Sequence, residues 1–250
     1  HQSMTTIGAT DTRSIKLDKF SISDYKLDFG LQYTYKLNKK NTINIGAVYT
    51  LGRTLHGDAY KYHQTGAESN GSIYVQSQTG DTIPNPFKMP HTFGIGLTYV
   101  YDNRLTIGVD YTLQKWNTAD LAWSKFNKES VEMNSRTKIA FGAEFVPSYI
   151  SHNYLKRIRY RMGAYYSSPY NKVSYTSPDT GTTSFQDGAR EYGVSIGFGL
   201  PMFQSKSMLN ISGQYIKVSP KFKGLMEENY LRINIGLTFN ERWFMKWKVD

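Results

Sequence analysis

The chain has 250 residues, 39% hydrophobic and 15% aromatic, with 30 Lys and Arg against 20 Asp and Glu, a formal net charge of +10, and no cysteine. This length suits one large domain. The lack of cysteine excludes a disulfide framework, a thiolate metal site and a cysteine nucleophile. The basic residues are spread over turns and tails (Lys39, Lys40, Lys156, Arg157, Arg159 and Arg161, then Arg242, Lys246 and Lys248) and form no patch on a recognisable module, which argues against nucleic acid as a partner.

Taken in chain order, the first residues, His1 to Met4, show no basic start, apolar stretch or cleavage site, so no signal peptide is read there. Either processing removed it or the chain begins inside a longer protein. Residues 1–24 are expected to be an extracellular loop or to hold an unrecognised strand. From Tyr25 to Leu37 every odd position is apolar or aromatic and no even position is, which is a β-strand seen from its two faces. Its length meets the roughly 9–11 residues that a tilted strand needs to cross a bilayer. After a turn at 38–41, a second run places Ile43, Ile45, Ala47, Tyr49 and Leu51 on one face. A third carries Phe93, Ile95, Leu97, Tyr99 and Tyr101, and the turn Asp102-Asn103 joins it to a fourth with Leu105, Ile107, Val109, Tyr111 and Leu113. Weaker runs follow at 137–145, 158–166, 192–200, 209–215 and 231–239, giving about nine strands.

No apolar run is long enough for a membrane-spanning helix, and the mean hydropathy of −0.51 is compatible with a transmembrane barrel, in which half of each strand is polar lumen. Short connections (38–41, 102–103, 201–207) alternate with long ones, the signature of periplasmic turns and extracellular loops. Loops 53–91, 115–135, 168–190 and 217–228 are expected outside, residues 25–240 to form the barrel, and 241–250 to be a periplasmic tail. The fold class expected is all-β, a transmembrane antiparallel up-and-down β-barrel in the bacterial outer membrane. Mid-strand glycines on the polar face (Gly46, Gly96, Gly108, Gly142, Gly163) and aromatics near strand ends (Tyr33, Tyr99, Trp116, Trp243) favour it over a soluble sandwich or lipocalin-like barrel with the apolar face inward. That orientation fails if Phe29, Ile95 and Ile235 pack together in a central interior. An odd strand count leaves an edge that lipid cannot satisfy. Further strands are therefore expected upstream, or one before Tyr25.

On the polar face, Asp110, Glu144, Arg159, Arg161, Glu191 and Arg232 are expected to line the lumen as a charge network, with opposite charges paired across strands. The basic balance suits contact with anionic outer membrane lipid and lipopolysaccharide. His56, Asp58 and His63 form the one plausible metal cluster, read as an ordinary loop without a helix to fix the spacing. Glu227 and Glu228 are adjacent on a strand and point to opposite faces, so they do not form an acid pair. No serine sits at a nucleophile elbow, and neither an enzyme nor a cofactor is expected.

Segments 160–166 (YRMGAYY), 191–201 (EYGVSIGFGLP) and 224–244 (GLMEENYLRINIGLTFNERWF), with 90–99 (PHTFGIGLTY) and 105–116 (LTIGVDYTLQKW), resemble the FadL-type (long-chain fatty acid transporter) outer membrane proteins of Bacteroidota. The resemblance covers about 25–250. It implies a fourteen-stranded barrel with an N-terminal hatch, of which nine strands are visible here, and passive uptake of hydrophobic small molecules. No transport residue carries over, because the hatch and the kinked strand have no counterpart in this chain. Some members of this type serve instead as subunits of envelope machines for β-barrel assembly or protein secretion. Two functions follow. The main expectation is a channel for hydrophobic compounds; the alternative is a non-transporting scaffold subunit in complex with other outer membrane or periplasmic proteins.

Overall fold

The computed structural model describes residues 2–6, 12–69, 72–118, 132–176, 183–202, 207–220 and 226–239. Parts of the expected loops (119–131, 177–182 and 221–225) and the tail 241–250 with Arg242, Trp243, Lys246 and Lys248 lie outside them, as does His1.

In chain order the strands are β1 (Gln2–Thr6), β2 (Thr12–Ile22), β3 (Asp28–Lys36), β4 (Asn41–Thr50), β5 (Gly57–Ser69), β6 (Ser72–Pro84), β7 (Thr92–Tyr101), β8 (Leu105–Gln114) and β9 (Arg136–Phe145). Then come the single-turn helix α1 (Tyr154–Arg157), β10 (Arg159–Ser167), β11 (Lys172–Thr176), β12 (Thr183–Asp187), β13 (Ala189–Pro201), β14 (Met208–Pro220) and β15 (Glu228–Thr238). Nine of them form one antiparallel sheet in the order β15-β14-β13-β10-β9-β8-β7-β4-β3. These are the nine runs with apolar alternation. The count of about nine is nonetheless too small for the chain, because a second sheet, β1-β2-β5-β6, is built from residues 1–24 and from the 53–91 connection, and β11 pairs with β12 inside 168–190.

The turns follow from their residues. Asp102 and Asn103 both take left-handed φ values, 50° and 52°, which the two-residue hairpin between β7 and β8 requires and short polar side chains tolerate. At the β3–β4 turn the Asn38 side-chain oxygen accepts from the backbone N–H of Lys40 and of Asn41, both at 2.9 Å.

The second sheet continues the first. β2 precedes β3, β5 follows β4 and β6 precedes β7, so the β3-β4-β7 order is repeated as β2-β5-β6 beyond the strand ends. Backbone hydrogen bonds carry the ladder across the junction: Leu51 N to Leu27 O (3.0 Å), Ser23 N to His56 O (3.3 Å), Leu55 N to Phe87 O (2.9 Å), and the reciprocal pair between Arg53 and Met89. We call this upper sheet the rim sheet.

The register aligns the two faces across all nine strands. One row of direct cross-strand neighbours reads Thr34, Asn44, Thr98, Gly108, Gly142, Gly163, Ser195, Gln214 and Arg232, one residue per strand and none with an apolar side chain. The opposite face carries Leu97, Val109, Phe141, Val194 and Leu231, all exposed. The interior-packing test is decided directly: Phe29 and Ile95 are each 57% exposed and Ile235 is 73% exposed. Among the described residues the buried hydrophobics are Ala59, Ile83, Val146, Ile158 and Ile216, scattered over the junction, a turn and single strands, with no central core. The buried members of β13 are Gly193, Gly197 and Gly199, all on the polar face, so in the middle of the sheet the polar face is the shielded one, while the edge strands β3 and β15 are exposed on both faces. The nine-stranded sheet leaves its apolar side chains exposed, on the face that the sequence alternation assigns to them. Its ends, β3 and β15, remain edges among the described residues, so the described strands do not close a barrel.

Candidate functional site

On the polar face, Glu144 of β9 lies directly opposite Arg161 of β10. Arg161 and Arg159 are two apart on one strand and point to the same side. Arg159 Nη1 donates to Glu144 Oε1 at 3.0 Å and Arg161 Nε to Oε2 at 2.7 Å, so one carboxylate bridges two guanidiniums. Arg161 Nη1 also donates to Asn210 Oδ1 of β14 at 2.8 Å, extending the cluster over β9, β10, β13 and β14. The guanidinium of Arg159 lies 5.8 Å from the ring centroid of Tyr149, whose hydroxyl donates to the carbonyl of Asn103 on the neighbouring turn. The 147–157 connection is thereby tied to the polar face at the turn end of the sheet.

A second constellation sits nearer the loop end. The Tyr165 hydroxyl donates to the Glu191 carboxylate, and Lys138 Nζ lies 4.7 Å from the Tyr165 ring centroid. A Cβ on Gly193 would overlap that ring, so glycine there makes room for the tyrosine. Arg136 Nε donates to the buried Ser167 hydroxyl at 2.7 Å. Asp110 lies opposite Gly96 and lines an open hollow of about 440 Å³ with Gly30, Gln32, Asn44, Gly46 and Thr98.

Of the six residues expected as a charge network, the structure joins Glu144, Arg159 and Arg161. Glu191 meets a tyrosine. Among the described residues Asp110 and Arg232 form no ion pair. Asn210, Tyr165 and Lys138 were not legible as partners, since two carry no charge and the third reaches an aromatic face. The histidines expected in an ordinary loop have structural places: His63 lies in β5 opposite Thr79. The backbone N–H of His56 donates to Asp24 Oδ2 at 2.9 Å and its Nδ1 lies 3.2 Å from the same oxygen.

The junction between the sheets is the third polar constellation. Arg53 Nη2 is 3.3 Å from Asp24 Oδ1, and its guanidinium lies 4.0 Å from the Tyr25 ring centroid. The backbone N–H groups of His56 and Tyr25, followed by the His56 imidazole and the neighbouring Arg53 charge, hold the Asp24 carboxyl down at about 2. Tyr49 stacks on His91 at 6.0 Å, and the imidazole Nδ1 takes both the Tyr49 hydroxyl at 2.8 Å and the Gly52 N–H at 3.2 Å.

This architecture defines an all-β protein whose nine-stranded antiparallel sheet has one exposed apolar face and one polar, partly charge-paired face. The chain matches the BamG family over residues 1–250 and belongs to it, a family of β-barrel assembly machinery components. The membership gives an outer-membrane-associated protein that works within a protein complex, as a scaffold subunit of β-barrel assembly. No curated protein and no solved structure matches the chain. The FadL-type resemblance is therefore corrected: the whole-chain match is to an assembly component and not to a fatty acid transporter. The polar face agrees with the correction, because the row across the nine strands offers glycine, hydroxyl, amide and guanidinium groups where an apolar solute would need a greasy path.

Proposed function

We propose that the nine-stranded sheet is the described part of a closed transmembrane β-barrel in the bacterial outer membrane. In this reading the barrel is a non-catalytic support that presents the rim sheet and the turn end to the other members of the assembly machinery. The observation that carries the reading is the exposure of Phe29, Ile95 and Ile235 on a face whose opposite side holds Glu144, Arg159 and Arg161. Such a face is tolerable where acyl chains cover it. The loop-end side, with the rim sheet and the β11–β12 hairpin, faces outward from the cell, and the turns at 38–41, 102–103 and 147–157 face the periplasm. An ion-paired interior supports a structural use over passage of hydrophobic solutes.

The test is purification of the protein from its native membrane under mild detergent, with depletion in parallel. Stoichiometric recovery of assembly-machinery subunits, and a fall in outer membrane protein levels without a change in fatty acid uptake, are expected. Loss of uptake with undisturbed barrel assembly would overturn it.

A further inference from the structure

At the junction of the two sheets the exposed face changes character. Phe29, Tyr49 and Phe93 form an aromatic row across β3, β4 and β7, with ring centroids 6.3 and 5.0 Å apart. Two cations cap it. Arg53 sits on Tyr25, and Lys115 Nζ lies 5.4 Å from the Phe93 centroid. Their residues continue β4 and β8, strands about 10 Å apart with β7 between them, Arg53 level with Met89 and Lys115 with His91. Lys115 is placed by its backbone N–H, which donates to His91 O at 2.9 Å. A cleft of about 270 Å³ is lined by Ile22, Tyr25, Leu51, Leu55 and Met89 together with Asp24, Lys26 and Arg53 itself.

Aromatic rings with cations one step above them, next to a cleft with apolar and charged walls, mark the level where acyl chains give way to headgroups. Asp24 offsets one of the two positive charges. It meets Arg53 at Nη2, which leaves guanidinium N–H groups for a ligand, and among the described residues Lys115 has no carboxylate partner. Two cations carried by different strands, one over Tyr25 and one beside Phe93, suit two phosphate groups on one headgroup better than a single phosphodiester.

We propose that this rim binds a bisphosphorylated glycolipid of the outer leaflet, with Arg53 and Lys115 on its phosphates and an acyl chain in the cleft of Ile22, Leu51, Leu55 and Met89. The inference rests on the membrane orientation above. It gives the subunit a fixed lipid boundary beneath the rim sheet.

The full-length protein, extracted with its membrane, is reconstituted into phosphatidylcholine vesicles containing lipid A, dephosphorylated lipid A or phosphatidylglycerol, and retained lipid is read by native mass spectrometry. Lipid A retention is expected, reduced about tenfold by removing its phosphates or by the double substitution Arg53→Gln with Lys115→Gln, and kept by Arg53→Lys with Lys115→Arg. Heat-modifiable gel migration checks that each variant folds. Retention indifferent to the phosphates or to the double substitution, equal retention of phosphatidylglycerol, or a protein adduct from a photo-crosslinker at position 25 would overturn the site. A spin label on Ile95→Cys separates the two layers of inference. Accessibility to lipid-dissolved oxygen with no lipid A effect removes the site alone, whereas accessibility only to water-soluble relaxants removes the membrane orientation.

Discussion

Leu97 offers the sharpest test of which solvent covers the exposed face. It is one of ten residues in β7 (Thr92–Tyr101), half a residue from the strand's midpoint, with Ile45 and Val109 as direct neighbours on the same face. A strand rising about 3.4 Å per residue at about 45° advances about 2.4 Å along the membrane normal, so β7 spans about 22 Å, close to the roughly 25 Å apolar band of a barrel. Leu97 then lies about 1 Å from the midplane, where a lipid-facing arginine costs about 2–4 kcal/mol. Tyr101, at the strand end, lies about 11 Å away, where the same change costs about 0–1 kcal/mol. Thr98, on the polar face opposite Asn44 and Gly108, should accept arginine at less than about 1 kcal/mol. The assay is urea unfolding in phospholipid vesicles, followed by tryptophan fluorescence and gel migration. The expected order of cost is Leu97→Arg far above Tyr101→Arg and Thr98→Arg. A Leu97→Arg cost within about 0.5 kcal/mol of zero, the usual figure for a water-exposed site, would refute lipid coverage.

Three further outcomes bear on the polar clusters and the junction. Glu144→Gln leaves Arg159 and Arg161 without their shared carboxylate, and because all three side chains are a quarter to two-fifths exposed we expect a loss of only about 1–2 kcal/mol; a cost above about 4 kcal/mol in the same unfolding assay would mean the face is drier than described. Asp24, held at about 2 against an ordinary 3.8, contributes stability that is full above the unfolded value and is lost as pH falls through the folded one. Hydrogen exchange at 51–56 and 85–91 should therefore accelerate between pH 4 and 2 in the parent and be flat with pH in Asp24→Asn, after intrinsic rates are removed. Gly52→Ala would place a methyl group on the backbone of His91 and 2.8 Å from its ring carbon, at a cost of about 1–3 kcal/mol, visible as loosened exchange in the rim sheet with the nine-stranded sheet unchanged.

Period-two alternation found the main sheet because each of its strands has one face exposed and apolar and one polar. β2 escaped for a definite reason: in TRSIKLDKFSI the apolar residues change phase, from Ile15 and Leu17 to Phe20 and Ile22, so neither face stays apolar along its length. β6, SIYVQSQTGDTIP, is polar on both faces through its middle, and a strand without an apolar stripe carries no periodic signal. The Arg159–Glu144–Arg161 bridge was half legible. Two arginines at i and i+2 must share a face, but only the register of β9 against β10 brings Glu144 between them. Sequence shows charges more readily than hydroxyls and so points Glu191 toward an ionic partner, whereas its partner in the fold is the Tyr165 hydroxyl. The motifs that resembled a transporter, such as Gly94-Ile95-Gly96 and Gly197-Phe198-Gly199, encode glycine on a shielded face and apolar residues outside. A scaffold needs that arrangement as much as a channel does.

The strand count has a consequence for how the proposed barrel closes. In an antiparallel sheet of nine, β3 and β15 run in the same direction, so joining them directly would make a parallel seam. Single-chain bacterial barrels have an even number of strands, and an unpaired edge in hydrocarbon costs several kcal/mol per backbone group. We therefore expect an odd number of further strands, whichever chain supplies them, to stand between the two edges. Cysteine pairs that match Leu31 or Tyr33 of β3 with Leu231, Ile233 or Ile235 of β15 test this in the native membrane. With even one strand interposed the edges are about 10 Å apart, beyond the roughly 7 Å Cα limit for a disulfide, and no pair should oxidise. Rapid, quantitative oxidation of one register of pairs would instead establish a directly zipped parallel seam and refute closure by further strands.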